Sequence, residues 1–401
     1  MHFAFTDEQI MIRDSAESFL MEVSTSQAVR AAMATDTGYD PDLWRSICRD
    51  LGWQSTLIPE AHGGLGLGIV ELVALQEQMG RFLLCSPFYA TVCLGITALM
   101  VAGTESQQAE YLPKINAGTT ATLAFAGAAS VQQGGQWDAA AVDAVYEHQG
   151  DHFILNGTLK YVVDGASSEL LIIAARRTAS VGNDGISLFI VPAYTAGIVR
   201  QQQPTMDQTR KQADIVLHNL HVPESALMGA EGKAGPQLQH ILDLATVALA
   251  AEQLGGAQTV LDMAVAYTKE RVQFGRSIAS FQAIKHKAAD MMTRVEVARS
   301  GVYYAACVAQ EALEAAQGRP APLAAELPEA ASIAKSYCSD TYFKNAGDAL
   351  QMYGGVGFTW EYDVHLHFKR AKASEHYLGN GAWHRERLAQ IVLDNRNGAA
   401  A

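Results

Sequence analysis

Residues 269–281 have the types needed to hold an anion beside a flat ring. Arg271-Val-Gln273-Phe274-Gly275-Arg276 sets two guanidinium groups, an amide and an aromatic around one glycine. Guanidinium pairs with phosphate in a two-pronged fork and stacks on π faces. An ordinary basic loop between helices has the same composition, so the stretch by itself leaves both readings open. The residues beyond it differ in kind. Ile284, Ala288, Met291, Val295, Ala298 and Val302 recur at steps of four and three, the spacing of a buried helix face. A phosphate-ready turn feeding a core helix suggests a cofactor held at a helix terminus.

Three segments should position these residues. Residues 1–118 read as helices: Thr6 or Asp7 caps the first, and Asp40-Pro41 opens another. The glycines of Pro59-Glu-Ala-His-Gly-Gly-Leu-Gly66 imitate a dinucleotide fingerprint, but no strand run precedes them, so the spacing predicts a loop before a helix over 69–79. From 119 to 233 the period is two. Short runs such as Phe153-Ile-Leu155, 159–163, 170–175, 186–191 and 215–217 are separated by Asn156-Gly157, Asp164-Gly165, Asn183-Asp-Gly185 and Pro192, which predicts a small antiparallel β-domain. From 234 to 401 the helical period returns. Four helices are expected: one to about 268, one to about 317, one from Pro328 through Tyr353, and a last around 383–393. The fold class is therefore mainly α with a small central β-domain.

Composition excludes several functions. The 401 residues carry 29 Lys+Arg against 42 Asp+Glu, a formal net charge of −13, so no large basic patch exists for a nucleic acid. No apolar run reaches membrane-spanning length and no signal-peptide pattern opens the chain, which points to a cytoplasmic protein. Five scattered cysteines without a CxxC pair suggest reduced thiols. His218-x-x-His221 and His365-x-His367 lack an evident third ligand, so no metal is expected and these read as exposed polar residues.

The order of segments, with these motifs, resembles the acyl-CoA dehydrogenase family of flavoproteins over nearly the whole chain. The residues that carry the resemblance are Arg271-Val-Gln-Phe-Gly-Arg with Phe281-Gln282, and Gln351-Met-Tyr-Gly354-Gly355-Val-Gly-Phe358 with Glu361. Pro59–Gly66 and Asn156-Gly157 before 161–165 agree more weakly. The resemblance implies FAD between the β-domain and the bundle, completed by a neighbouring subunit in a homo- or hetero-oligomer, dimer or tetramer. It implies Arg271 on the pyrophosphate, Phe274 on the adenosine part and Gln282 toward the adenine. Gln351, Gly354 and Gly355 would approach the diphosphate of the other subunit's FAD, and Gln273 and Asn380 complete the cofactor set. Gly354-Gly355 also reads, without any cofactor, as a helix end. The implied substrate is an acyl-CoA thioester and the implied electron acceptor an electron-transfer flavoprotein.

The family's base is usually a glutamate followed by Gly-Thr. Here that stretch is His376-Tyr-Leu378-Gly379-Asn380, with leucine at the glutamate position. Members that place the base on the first bundle helix, beside an arginine, correspond to Ala245 and Thr246. Asp243 faces about 200° away from Ala245, whereas Glu252 shares its face about 10 Å along the axis. Glu252 is thus the candidate base, or else a carboxylate paired within the bundle. Glu375 and His376 flank the lost site, and Lys369-Arg370-Ala-Lys372 reads either as a CoA-phosphate contact or as a solvated helix face. Missing a positioned base costs about 10²–10⁴ in rate. Three readings are consistent with this pattern. One is a base-lacking subunit of a heteromeric acyl-CoA dehydrogenase, to which the pattern Leu378 to Arg385 is similar, with several such members linked to steroid or bulky acyl-CoA breakdown. The others are a homomeric flavoenzyme of desulfinase or monooxygenase type, and a non-catalytic assembly protein.

Overall fold

The computed structural model describes residues 5–127, 135–316 and 318–397, with 395–397 by backbone alone. Helices come first: α1 (Asp7–Val23), α2 (Ser26–Met33), α3 (Pro41–Ser46), α4 (Ile69–Arg81), α5 (Thr97–Ala102) and α6 (Glu105–Asn116). Thr6 and Gln9 close a capping box at α1, and Asp40 caps α3 with Pro41 behind it. Polar side chains thus satisfy orphan amides at the start of each of these two helices. The glycine-rich stretch before α4 is a loop with one short turn, Glu60–His62.

The chain divides into two compact units. One gathers Ala31–Gly68 and Cys85–Ala245. Its centre is a sheet of β1 (Ala121–Ala124), β2 (Val145–Gln149), β3 (His152–Val163), β4 (Leu170–Arg177), β5 (Ile186–Pro192), β6 (Ile198–Gln203), β7 (Gln212–Pro223) and β8 (Leu227–Met228). The order is β6-β7-β3-β2-β4-β5-β8, with β1 beside β4. Pairing is antiparallel except that β1 and β2 both run parallel to β4, which strand periodicity does not reveal. Asn156-Gly157 is not a turn: β3 runs through it with a register shift against β7. A Cβ on Gly157 would lie 2.7 Å from Ala144 Cα, so close packing rather than reversal explains the glycine. Phe153 and Phe189 meet edge to face at 5.1 Å in the core below, beside Leu155, Ile173 and Leu217.

The second unit gathers the chain up to Arg30, Ile69–Leu84 and the chain from Thr246. Here α1 packs on α4, and the bundle is built from α7 (Gly235–Glu270) from Thr246 onward, α8 (Gln282–Ala316), α9 (Leu327–Tyr353), α10 (Val364–His376) and α11 (Gly381–Asn397). Five helices replace the expected four. The additional one, α10, buries His365, His367 and Arg370 among Val364, Leu366 and Ala371, so its inward residues are mixed and the hydrophobic period is interrupted. Backbones touch where α4 crosses α7. A Cβ on Gly80 would lie 2.0 Å from the Glu252 carbonyl oxygen, and one on Gly255 1.8 Å from that of Glu77. Any side chain there would force the helices apart. Among the described residues no helix is long and apolar enough to cross a membrane.

Candidate active site

Within the second unit, α7 ends beside the end of α9. The Tyr267 and Tyr353 rings stack at 4.1 Å, and Tyr353 Oη donates to the Met263 carbonyl at 3.3 Å. Four residues beyond Tyr267 is Arg271, and immediately after Tyr353 come Gly354 and Gly355. The two motifs therefore share one end of the bundle. Val272–Gln273 pairs with Arg276–Ser277 in a hairpin whose tip residues, Phe274 and Gly275, sit at φ 54° and 78°, the backbone a two-residue hairpin demands. This puts the Phe274 ring in water, 91% exposed. The Arg276 guanidinium lies 4.1 Å from the Phe281 ring centroid. Arg271, Gln273, Gln282 and Gln351 are exposed, and the Arg271 side chain has no hydrogen-bond or ion-pair partner among the described residues.

Gly354 ends α9 at φ 66°, ψ −146°, a region essentially reserved for glycine. Nothing lies within 4 Å of a Cβ built on Gly354 or Gly355. An apposed group is thus free to approach this backbone. In Gly354→Ala, backbone strain alone should destabilise, by about 1–3 kcal/mol; urea unfolding of the variant measures it, and an unchanged midpoint would contradict the assigned conformation.

The residues of α7 weighed as bases or base positions are buried. Ala245 and Thr246 are buried on α7, as is Asp243, which accepts from Gln239 Nε2 at 3.1 Å. Glu252 Oε1 meets Arg370 Nη1 at 2.9 Å, both side chains 3% exposed. A carboxylate so placed is the counter-ion of a buried guanidinium rather than a free proton acceptor. Arg370 is therefore no surface contact for a CoA phosphate, while Lys372 pairs with Glu375 at 2.8 Å. His365 and His367 of α10 are also buried, contrary to the exposed reading: His367 Nδ1 lies 2.9 Å from Tyr342 Oη, and burial pulls its pKa down to about 3. His218 and His221 are exposed, and no cluster of three metal-ligating side chains occurs among the described residues. Asn380 Oδ1 accepts from the Trp383 amide at 2.9 Å, which makes it the N-cap of α11.

The turn between α10 and α11 carries Leu378, the residue expected at the glutamate position. Leu378 is 1% exposed at φ 57°, followed by Gly379 at φ 95°. Left-handed backbone costs a bulky residue about 1–2 kcal/mol. Two buried donors face it: His384 Nε2 reaches the Leu378 carbonyl at 2.9 Å, and Lys335 Nζ the Gly379 carbonyl at 2.8 Å. Lys335 is fully buried, and burial lowers its pKa to about 7. Its Nζ also reaches Ser339 Oγ at 2.8 Å and the Ser374 and Glu375 carbonyls at 3.0 Å each. Gln253 Nε2 joins the cluster through Ser339 Oγ at 3.1 Å and Ser374 Oγ at 3.2 Å. Sequence reasoning missed Lys335 and His384, because a lone lysine or histidine inside a helical pattern reads as surface; nothing local marks their burial.

Comparison with known proteins agrees with this architecture. Residues 6–119 match the acyl-CoA dehydrogenase N-terminal domain and residues 236–393 the C-terminal domain. The chain is 32% identical over 372 residues to the acyl-CoA dehydrogenase IpdE2 of Mycobacterium tuberculosis, covering 93% of each. It is 30% identical to IpdE2 of Mycolicibacterium smegmatis over 374 residues, 93% of this chain and 95% of the other. Among solved structures, butyryl-CoA dehydrogenase from Megasphaera elsdenii superposes with a TM-score of 0.86 at 27% identity, over 98% of this chain and 100% of that one. The Tcur3481-Tcur3483 steroid ACAD superposes with a TM-score of 0.82 at 28% identity, covering 98% and 99%. On these matches, spanning both helical segments and nearly the full length, the chain belongs to the acyl-CoA dehydrogenase family.

Proposed function

We propose that this chain is an FAD-binding subunit of a heteromeric acyl-CoA dehydrogenase, in which a paralogous partner carries the base for α-proton abstraction. What supports this reading is that neither residue expected at a base position is an acid. Leu378 and Ala245 offer no acid, and Glu252 is bound to Arg370. Bound FAD supplies the hydride acceptor for the substrate Cβ. This chain's part is to hold it: Arg271 forks onto the diphosphate, the open backbone of Gly354 and Gly355 approaches the diphosphate of the other subunit's FAD, and Phe274 packs on the adenosine. Gln273, Gln282 and Gln351 surround the cofactor. Asn380, engaged as a helix cap, shapes the turn beside it.

The substrate is an acyl-CoA thioester, and the relation to a structure named a steroid ACAD favours a bulky acyl group. An electron-transferring flavoprotein is the acceptor, in keeping with a superposition of TM-score 0.85 at 29% identity on a structure titled for the electron transferring flavoprotein of Acidaminococcus fermentans. Three functional segments, 1–118, 119–233 and 234–401, divide this work. The desulfinase or monooxygenase alternative loses its best-named base once Glu252 is an ion-pair partner. The assembly-protein alternative predicts a colourless preparation without flavin.

The test is purification alone and with the paralogous partner. Acyl-CoA oxidation should be at least about 10²-fold slower for the chain alone. Arg271→Ala should strip flavin while leaving the urea midpoint of the apoprotein unchanged, since its guanidinium is exposed. Normal turnover by the isolated chain would sink the heteromeric reading.

A further inference from the structure

We propose that Lys335 is a positioning residue: its ammonium, together with the His384 imidazole, holds the Leu378-Gly379 turn in its left-handed backbone, where the family's acid otherwise stands. The inference rests on the reading that this turn borders the acyl-CoA site.

A leucine does not choose positive φ, and here it is followed by a second left-handed residue. Some contact outside the turn must over-determine that backbone. Each of the two carbonyls concerned has one buried side-chain donor: His384 Nε2 at 2.9 Å on Leu378, Lys335 Nζ at 2.8 Å on Gly379. The same ammonium reaches the Ser374 and Glu375 carbonyls at 3.0 Å. These lie in the last turn of α10, where carbonyls lack intrahelical partners and a cation meets the negative end of the helix dipole. One side chain from α9 therefore ties the end of α10 to the turn beyond it. The imidazole is fixed in the same manner. Ser332 Oγ, also on α9, lies 3.2 Å from His384 Nδ1, which leaves Nε2 to donate to Leu378. Burial and the neighbouring Lys335 charge keep that ring neutral, its pKa pushed down to about 2. Both donors come from outside the turn, and both aim at the backbone, leaving residue 378 free to change without loss of the turn.

Hydrogen–deuterium exchange on the full chain, read at the peptide covering residues 374–383, tests this. Lys335→Met keeps the stem and removes the donors, and should speed exchange there at least tenfold while peptides of α8 stay unchanged. Lys335→Arg, which keeps donors and charge, should restore slow exchange. Should Lys335→Met not fold, His384→Phe against His384→Gln carries the test: the first should speed exchange, the second, which retains a donor, should not. Exchange within twofold of wild type in Lys335→Met or in His384→Phe overturns the proposal. In the FAD-loaded protein, the Kd of octanoyl-CoA, read from the flavin spectrum, should weaken about tenfold in Lys335→Met and recover in Lys335→Arg. Failure of wild type to bind octanoyl-CoA would count against the acyl-CoA reading, while the exchange result would still decide the role of Lys335.

Discussion

Replacing Glu252 with glutamine is expected to destabilise the chain by about 3–5 kcal/mol. The reason is asymmetric. Arg370 Nη1 and Glu252 Oε1 meet at 2.9 Å with both side chains 3% exposed, so the guanidinium has already lost its water. Glutamine would take away the carboxylate charge that faces this buried guanidinium. Arg370→Met alone should cost a similar amount, from the opposite side. The double variant, Glu252→Gln with Arg370→Met, should recover most of the loss, because removing both charges removes the penalty that each leaves behind. A urea-unfolding cycle over the four proteins measures this. If Glu252→Gln abolished turnover in the complete enzyme with no change in unfolding midpoint, the carboxylate would belong to the chemistry rather than to the bundle.

Acid should unfold the protein through two histidines. Burial holds His367 near a pKa of about 3 and His384 near about 2, against an ordinary 6.5. Both are neutral in the fold, whereas the unfolded chain protonates them as pH falls through about 6.5. Between that pH and the folded values the unfolded state binds more protons, so stability falls as pH falls. Each group contributes about 1.4 kcal/mol per pH unit, or roughly 5 kcal/mol for the pair by about pH 4.5. That is comparable with the whole stability of many domains. Urea titrations at pH 7, 6 and 5 should show the slope, and His384→Gln should reduce it. A flat profile between pH 6.5 and 5 would mean that these rings are not buried as described.

Legibility in the sequence depends on physical type. Helices with apolar faces, such as α8 and α9, and the caps at Thr6 and Asp40 are readable because periodicity and capping are local. The turn at Phe274-Gly275 is readable because glycine accepts the positive φ that a tight turn needs. Gly157 misleads because a glycine required by close packing against Ala144 looks like one required by a turn. Helix α10 escapes detection because its buried residues mix His365, His367 and Arg370 with Val364, Leu366 and Ala371. His367 and Arg370 are held there by residues distant in sequence, Tyr342 and Glu252. Glu252 stands between two readings until Arg370, 118 residues on, is placed beside it. Lys335 has no local signal at all, since its four acceptors are backbone or hydroxyl oxygens brought together by the fold.

The backbone contact of α4 with α7 also orders the protein's synthesis. Gly80 rests on Glu252 and Glu77 on Gly255, and the chain between those two helices belongs mostly to the other unit. As the ribosome releases α1 and α4, the partner for their apolar faces has not yet been made. Closing so long a loop is entropically slow. The sheet-centred unit is fully made once Ala245 is added, before the chain from Thr246 exists, and can form while α1 and α4 wait, exposed to chaperones and to aggregation. A nascent chain arrested before residue 246 should therefore be sticky at its own N-terminus.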